Sequence, residues 1–468
     1  MDMVNETSPQ PHDEATISLT GSLVRLIRTR TVTEHDLATA AGFALDTMAN
    51  IVAGTNSAAG AKLLAWARAT APGGDLTGLD AGRQALLMGS LCHILEVDDL
   101  HRTSVVHPGC VVVPAMLALA PPGRRQGTGG RACLTALLHG YEAACRVGMA
   151  VGREHYRVWH NTATCGPFGS AMAASHLLGL DEAATVDALG NAGSQSAGLW
   201  EFIETGAETK HLHAGRGAEA GVVAAGLARF GFTGAPRILE GARGFFRAAC
   251  PDAAPERLLE DAAGRWQVHA TSIKPWPSCR HTHPAIACAL DIQDRMRRAG
   301  LSRDAISAVR VTAYQAALDV CDRPAPDSAY AAKFSLQHCV AAGLFDGTID
   351  FASFEAAARE RLARPRGLVA LATGEPFQAS YPGAWGSRVE ATASDGRVVA
   401  AQVRHARGDP EAALSRAELI GKAESLLAHG GLKDPQHFVA TVLAMADGGP
   451  APDLMTEIAA LSRPGPHA

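Results

Sequence analysis

Apolar residues recur at helical spacing through most of the first 270 positions. The runs cover 58–69, 83–95, 111–120, 130–151, 168–178, 182–205 and 218–230. Thr33-Glu-His-Asp36 has the form of an N-cap followed by an acidic first turn, and it opens a predicted helix through about Val52. Strand-like alternation is almost absent before residue 265, so this part reads as an all-helical domain. The texture then changes. Residues 305–314 alternate as a strand does, and 388–403 read as a hairpin with Asp395-Gly396 at its turn. A helical pattern at 284–298 precedes the first of these and another at 330–345 lies between them. Helical spacing returns at 411–428 and 438–446. The pattern predicts a mainly α protein with five parts. These are a flexible tail (1–15), a large helical domain (16–268), a smaller α+β lid (269–405), C-terminal helices that rejoin the first domain (406–461) and a second flexible tail (462–468).

Composition narrows the function classes. Hydrophobic residues make up 47 % and charged residues 19 % of 468, enough for a large core. The net charge is −5, which implies no basic surface and no nucleic-acid partner. The ten cysteines form no CxxC pair, so reduced thiols in a cytoplasmic protein are expected. The N-terminus lacks the character of a signal peptide, and no apolar run reaches about 18 residues uninterrupted, so no membrane span is expected. Lysine occurs only at 62, 210, 274, 333, 422 and 433. Arginine cannot replace a lysine that gives up a proton, so each retained lysine carries information.

Four segments concentrate acid/base chemistry. The first runs from His93 through Glu96, Asp98 and Asp99 to His107-Pro108, with three acids and three histidines in fifteen residues. On a continued helix, His93, Glu96 and Leu100 would share a face. The second is a polar loop around His160-Asn-Thr. The third is Lys210-His-Leu-His213-Ala-Gly, ahead of a Gly/Ala-rich helix. The fourth is Lys274-Pro-Trp-Pro-Ser-Cys-Arg280, where the helical domain gives way to the lid. Taken singly, each also reads as a capping loop or a helix end. The His-x-His pair raises the question of metal, but no carboxylate stands at a supporting spacing and no HExxH motif occurs, so no metal is expected. P-loop, dinucleotide and GxSxG signatures are likewise absent, and no organic cofactor is expected. Together the segments suit a small substrate with more than one carboxylate. Cations would hold the carboxylates while His, Lys or an acid moves a proton at an adjacent carbon.

The chain also resembles the MmgE/PrpD family, which includes 2-methylcitrate dehydratase, cis-aconitate decarboxylase and iminodisuccinate epimerase. The matching segments are HILEVDD with His107-Pro108, His160-Asn-Thr, Lys210-His-Leu-His-Ala-Gly, Gly231-Phe-Thr-Gly, Lys274-Pro-Trp-Pro-Ser-Cys and Ala332-Lys-Phe-Ser335, in the family's order. The resemblance implies a helical domain with an α+β lid, a cleft between them, a homodimer and cofactor-free chemistry on di- or tricarboxylates. It marks His107, His160, Lys210 and Lys274 as active-site residues and Asp98-Asp99 as the paired acids. Where the family often reads Asp-Phe-Asp-Asp-Thr, this chain has Glu96-Val-Asp-Asp-Leu100.

The expectation is a lyase of the 2-methylcitrate dehydratase type, with proton abstraction α to a carboxylate and loss of water. His107, His160, Lys274 and Asp99 are the expected catalytic residues. Lys210, Arg280, Asp98, Glu96 and His213 are expected to bind substrate. Decarboxylation or epimerisation on the same fold, or a catalytically inactive polycarboxylate-binding protein, are the alternatives.

Overall fold

The computed structural model describes residues 18–120 and 129–462. The two predicted tails lie outside the described residues, apart from residue 462.

The first domain is built from α1 (Leu19–Thr29), α2 (Glu34–Thr55), α3 (Ala58–Thr70), α4 (Ala81–His93), α5 (Gly109–Leu119), α6 (Gly130–Ala150), α7 (Arg153–Val158), α8 (Asn161–Leu177), α9 (Glu182–Gly193), α10 (Phe202–Thr205), α11 (Thr209–Arg229) and α12 (Phe245–Ala249). The expected cap of α2 is present as a reciprocal box. Thr33 accepts from the Asp36 N–H, and Asp36 accepts from the Thr33 N–H. By length and composition alone α2 is long and apolar enough to cross a membrane. However, 89 % of its apolar window is buried inside the protein, as in a central core helix. Helices α4 and α11 pack backbone to backbone. A Cβ on Gly215 would stand 2.2 Å from Ser90 Oγ and 2.3 Å from the Leu86 carbonyl oxygen. The Gly/Ala richness of α11 is therefore what lets it lie against α4.

The lid contains α13 (His283–Arg298), α14 (Gln315–Cys321), α15 (Ala329–Lys333), α16 (Leu336–Phe345) and three short helices, α17 (Ala356–Arg361), α18 (Ala363–Gly367) and α19 (Phe377–Ser380). Two strands of two residues each, β1 (Leu100–His101) and β2 (Thr271–Ser272), pair antiparallel and tie the acid-rich segment to the lid's entry. The main sheet has the order β4 (Val369–Thr373), β3 (Ile306–Ala313), β5 (Ser387–Ala393), β6 (Val398–Val403). Strands β3 and β4 run parallel and the other pairs antiparallel. Val309, Val311 and Val389 of the sheet share a second core with Ala289 and Ile292 of α13. The C-terminal helices α20 (Arg416–His429), α21 (Pro435–Leu443) and α22 (Leu454–Leu461) send Leu426, Phe438, Val442 and Ile458 into the core of the first helices.

Several predicted boundaries move. The run 182–205 breaks after Gly193 and resumes only at Phe202. Gly198 in the break has φ 139, a conformation open to glycine. Helices α8 and α11 begin earlier than the apolar pattern predicts, at Asn161 and Thr209. Helix α20 starts at Arg416 rather than 411, because Ser415 and Glu418 form a capping box there. Strand β4 was not foreseen.

Candidate active site

Helix α4 ends at His93 and the chain turns sharply. Glu96 adopts φ 62, in the left-handed region that non-glycine residues enter rarely. The expected helical face of His93, Glu96 and Leu100 therefore does not form. The turn instead buries Glu96, Asp98 and Asp99, each 2 % exposed or less. Val105, two residues before His107, also has positive φ (51). For a β-branched residue this is a true outlier, so the segment carries backbone strain on both sides of its acids.

Asp98 is the hub. Its Oδ2 lies 2.7 Å from His93 Nδ1 and 3.2 Å from His107 Nδ1. The rings continue as a row. His93 and His107 meet edge to face with centroids 4.7 Å apart, His93 stacks on His160 at 5.6 Å, and His160 Nδ1 is 3.4 Å from His213 Nδ1. Local structure fixes each ring. His107 precedes the Pro108 N-cap of α5, and its N–H donates to Thr162 Oγ1 at 3.1 Å. His160 is the N-cap of α8, and its N–H donates to the Gly198 carbonyl at 2.9 Å. His160, expected in a loop, thus sits at a helix start, while Lys210 and His213 lie within the first turns of α11. Trp200 covers His160 at a centroid distance of 4.8 Å.

Two lysines face the acids. Lys210 forms an ion pair with Glu96. Lys274 donates to the Glu96 carbonyl at 2.9 Å, and its Nζ is 3.9 Å from both Glu96 Oε2 and Asp98 Oδ1. Burial disfavours the Glu96 charge, but Lys210 and Lys274 outweigh it and hold the carboxyl below its usual range. Burial also opposes the Asp98 charge, and His93 and His107 hold that carboxyl well down. Burial, with neighbouring positive charge, pushes the histidines down. His107 and His213 fall to about 4, and His160 falls well below its ordinary value. His107, His160 and His213 therefore favour the neutral imidazole at neutral pH, beside charged Lys210 and ionised Asp98.

Two expected members take other places. Asp99 does not orient a histidine; Asp98 does. Asp99 turns the other way and accepts from Tyr141 Oη at 2.7 Å and from the Gly109 N–H at 3.1 Å. Burial and the nearby Asp98 charge push its carboxyl well up, and its two hydrogen bonds brace the start of α5. Arg280 is not presented to the histidine row. It forms an ion pair with Asp409 and donates to His283 Nδ1 and to the carbonyls of Ala406 and Arg407. It works as a strut between the lid's entry and exit, because a buried guanidinium stays with its buried carboxylate. His93, Trp200 and Lys333 were missed as site residues. Lys333 Nζ donates to the Leu95 carbonyl at 3.1 Å, and burial lowers its pKa to about 8. His93 was visible as the first histidine of the acid-rich stretch, and Lys333 as one of only six lysines.

Ligand atoms of His93, Asp98 and Cys110 lie within 4.8 Å of one another. As a metal site this set is poor. His93 and Asp98 are bonded to each other, Cys110 Sγ donates to the His107 carbonyl, and burial raises the thiol well above its ordinary pKa, which keeps it protonated. The polar atoms left without a hydrogen-bond partner around the row include His93 Nε2, Asp98 Oδ1 and His211 Nδ1. Unpaired buried polar atoms are costly, and their gathering here marks a surface suited to a polar ligand.

The MmgE/PrpD N-terminal domain profile matches residues 21–258 and the MmgE/PrpD C-terminal domain profile matches residues 276–445. A cis-aconitate decarboxylase-like protein of Aspergillus oryzae is 32 % identical over 203 residues, 41 % of this chain and 42 % of its own. Human cis-aconitate decarboxylase is 29 % identical over 277 residues, 58 % of this chain and 56 % of its own. The Aspergillus terreus enzyme of that name is 26 % identical over 280 residues, 56 % of each chain. The chain thus spans about half the length of the curated relatives it matches. With both domain profiles matched in order over most of its length, the chain belongs to the MmgE/PrpD family.

Proposed function

We propose that this protein is a cofactor-independent lyase of small di- or tricarboxylates, and that its reaction is decarboxylation of a cis-aconitate-like acid. The observation that carries the reading is the row of buried imidazoles, His107, His93, His160 and His213, set beside Lys210, Lys274 and Asp98. The similarity to cis-aconitate decarboxylases moves the preference from loss of water to loss of CO₂.

An unsaturated tricarboxylate carries its own electron sink. When the carboxylate β,γ to the double bond leaves as CO₂, its electron pair shifts that double bond, and the far carbon of the allyl system takes a proton. The remaining carboxylates gain charge during this step, and Lys274 and Lys210 are placed to stabilise it. Substrate carboxylates near the histidines would raise their proton affinity, so that binding itself charges His107 or His160 and furnishes the proton.

Dehydration of a 2-methylcitrate-like hydroxy acid is the second reading. The Asp98-held pair of His93 and His107 favours it, since it offers a base and an acid side by side. Homodimeric assembly and a cytoplasmic setting complete the proposal. The setting is supported by ten cysteines that are all free and buried.

The test is mass spectrometry of the purified protein with a panel of di- and tricarboxylates in D₂O. Loss of CO₂ with gain of one deuterium supports the proposal. Loss of water establishes the second reading. Deuterium gain alone identifies an epimerase, and binding without any mass change would leave an inactive carboxylate-binding protein.

A further inference from the structure

Three successive carbonyls of the turn after α4 are held by three lysines from three different elements. Lys333, at the end of α15, donates to Leu95 O at 3.1 Å. Lys274, just after β2, donates to Glu96 O at 2.9 Å. Lys422, in α20, donates to Val97 O at 2.8 Å and forms an ion pair with Asp46 of α2. A fourth lysine, Lys210, holds the Glu96 side chain. Four of the chain's six lysines thus converge on three residues.

The convergence has a physical reason. With Glu96 left-handed, the helical pattern of α4 does not continue through the turn, and the carbonyls of 95, 96 and 97 are each met by a lysine side chain. Strain of this kind persists only where the surroundings over-determine it. Here the surroundings are two lid elements and one C-terminal helix. Lys274 is already placed beside the acids. Lys333 and Lys422 point at the turn's backbone and not at the histidine row.

We infer that Lys333 and Lys422 are positioning residues: they hold the Leu95–Val97 turn so that Glu96 and Asp98 meet Lys210, His93 and His107 only while the lid and α20 are closed on it. For what the turn does chemically this rests on the proposed lyase reading; for its geometry it does not. It makes assembly of the acid cluster conditional on lid closure, with the lysines as the contact points.

Two full-length variants test it. One is Lys333→Met. The other is Lys422→Met combined with Asp46→Asn, with Asp46→Asn alone as control, so that no buried charge is stranded. Hydrogen exchange is followed by mass spectrometry on peptides covering 93–101, and on α6 and β5 as references. The expected result is at least tenfold faster exchange in 93–101 in both variants, with the references unchanged. Unchanged exchange in 93–101 overturns the inference, and so does an equal rise in all peptides, which would mean general cohesion only. On whichever substrate the panel identifies, kcat should fall at least tenfold with KM within about twofold, since both lysines are spent on the turn's backbone. A raised KM with intact kcat overturns the positioning role. If the wild-type protein turns over nothing in the panel, the lyase reading fails while the exchange experiment still decides this one.

Discussion

At the scale of single residues, the site is governed by which carboxyl keeps its charge. Asp98 is ionised among histidines, Glu96 is ionised between lysines, and Asp99 is pushed towards its neutral form by burial and by Asp98. Asp99→Asn keeps an acceptor oxygen for the Gly109 N–H and sets its amide N–H₂ against Tyr141 Oη, which can accept from it, so its stability should stay within about 1 kcal/mol of wild type. Asp99→Ala strands both donors and should cost about 2–4 kcal/mol by denaturant unfolding. If the Asn variant is as damaged as the Ala variant, Asp99 is charged. Lys274→Met should lower turnover by a factor on the order of 10² to 10⁴ with an unchanged circular dichroism spectrum; near-normal turnover would remove Lys274 from the chemistry. The sequence singled out Lys210 and Lys274 because lysine is rare in this chain, and His107 and His160 because they stand at predicted element junctions. It hid the roles of Asp98 and Asp99, which follow from a left-handed turn at a glutamate that no glycine announces.

At the scale of elements, the decisive contact is α4 against α11. It brings the turn after His93 under Lys210. Gly215 has no room for a Cβ, whereas a Cβ at Gly226 on the same helix meets nothing within 4 Å. Gly215→Val should therefore destabilise by about 2 kcal/mol or more, and Gly226→Ala should stabilise by about 0.5–1 kcal/mol, both read from thermal unfolding. Helices with long apolar repeats were legible: α2, α6 and α13 lie close to their predicted spans. The starts of α8 and α11 were not, because Asn161–Pro167 and Thr209–Gly215 are polar or small and their burial comes from tertiary packing. Strand β4 escaped notice because its pairing partner β3 lies more than fifty residues earlier, with the parallel register set by the lid as a whole.

At the scale of the whole molecule, burial of histidine sets the response to acid. His101, His107, His211, His213 and His281 are each pushed down to about 4 by burial, the largest effect in every case. In the unfolded chain each takes up a proton near pH 6.5. Between about pH 4 and 6.5 these five histidines bind more protons in the unfolded state and raise stability with pH, outnumbering the buried carboxyls Asp46 and Asp99, whose upward shifts act the other way. Glu96 and Asp98, held low, lose their stabilising effect only below the ordinary carboxylate range. A fall in Tm of at least about 5 °C from pH 7.5 to pH 5 is expected. A Tm that does not change would mean that these histidines are solvated. The two-part architecture was legible from the change of periodicity near residue 265, and the return of the C-terminal helices from the return of helical spacing after the hairpin.

The placement of the lysines has one practical consequence. Lys62 and Lys433 lie on the surface, while Lys210, Lys274, Lys333 and Lys422 face inward on the turn after α4. A brief pulse of an amine-acylating reagent should therefore mark two lysines in the closed protein, and mass-mapped labelling of the other four should rise as the lid opens. The chain carries its own footprinting reagent sites, and polycarboxylate ligands can be ranked by how far they protect the inner four.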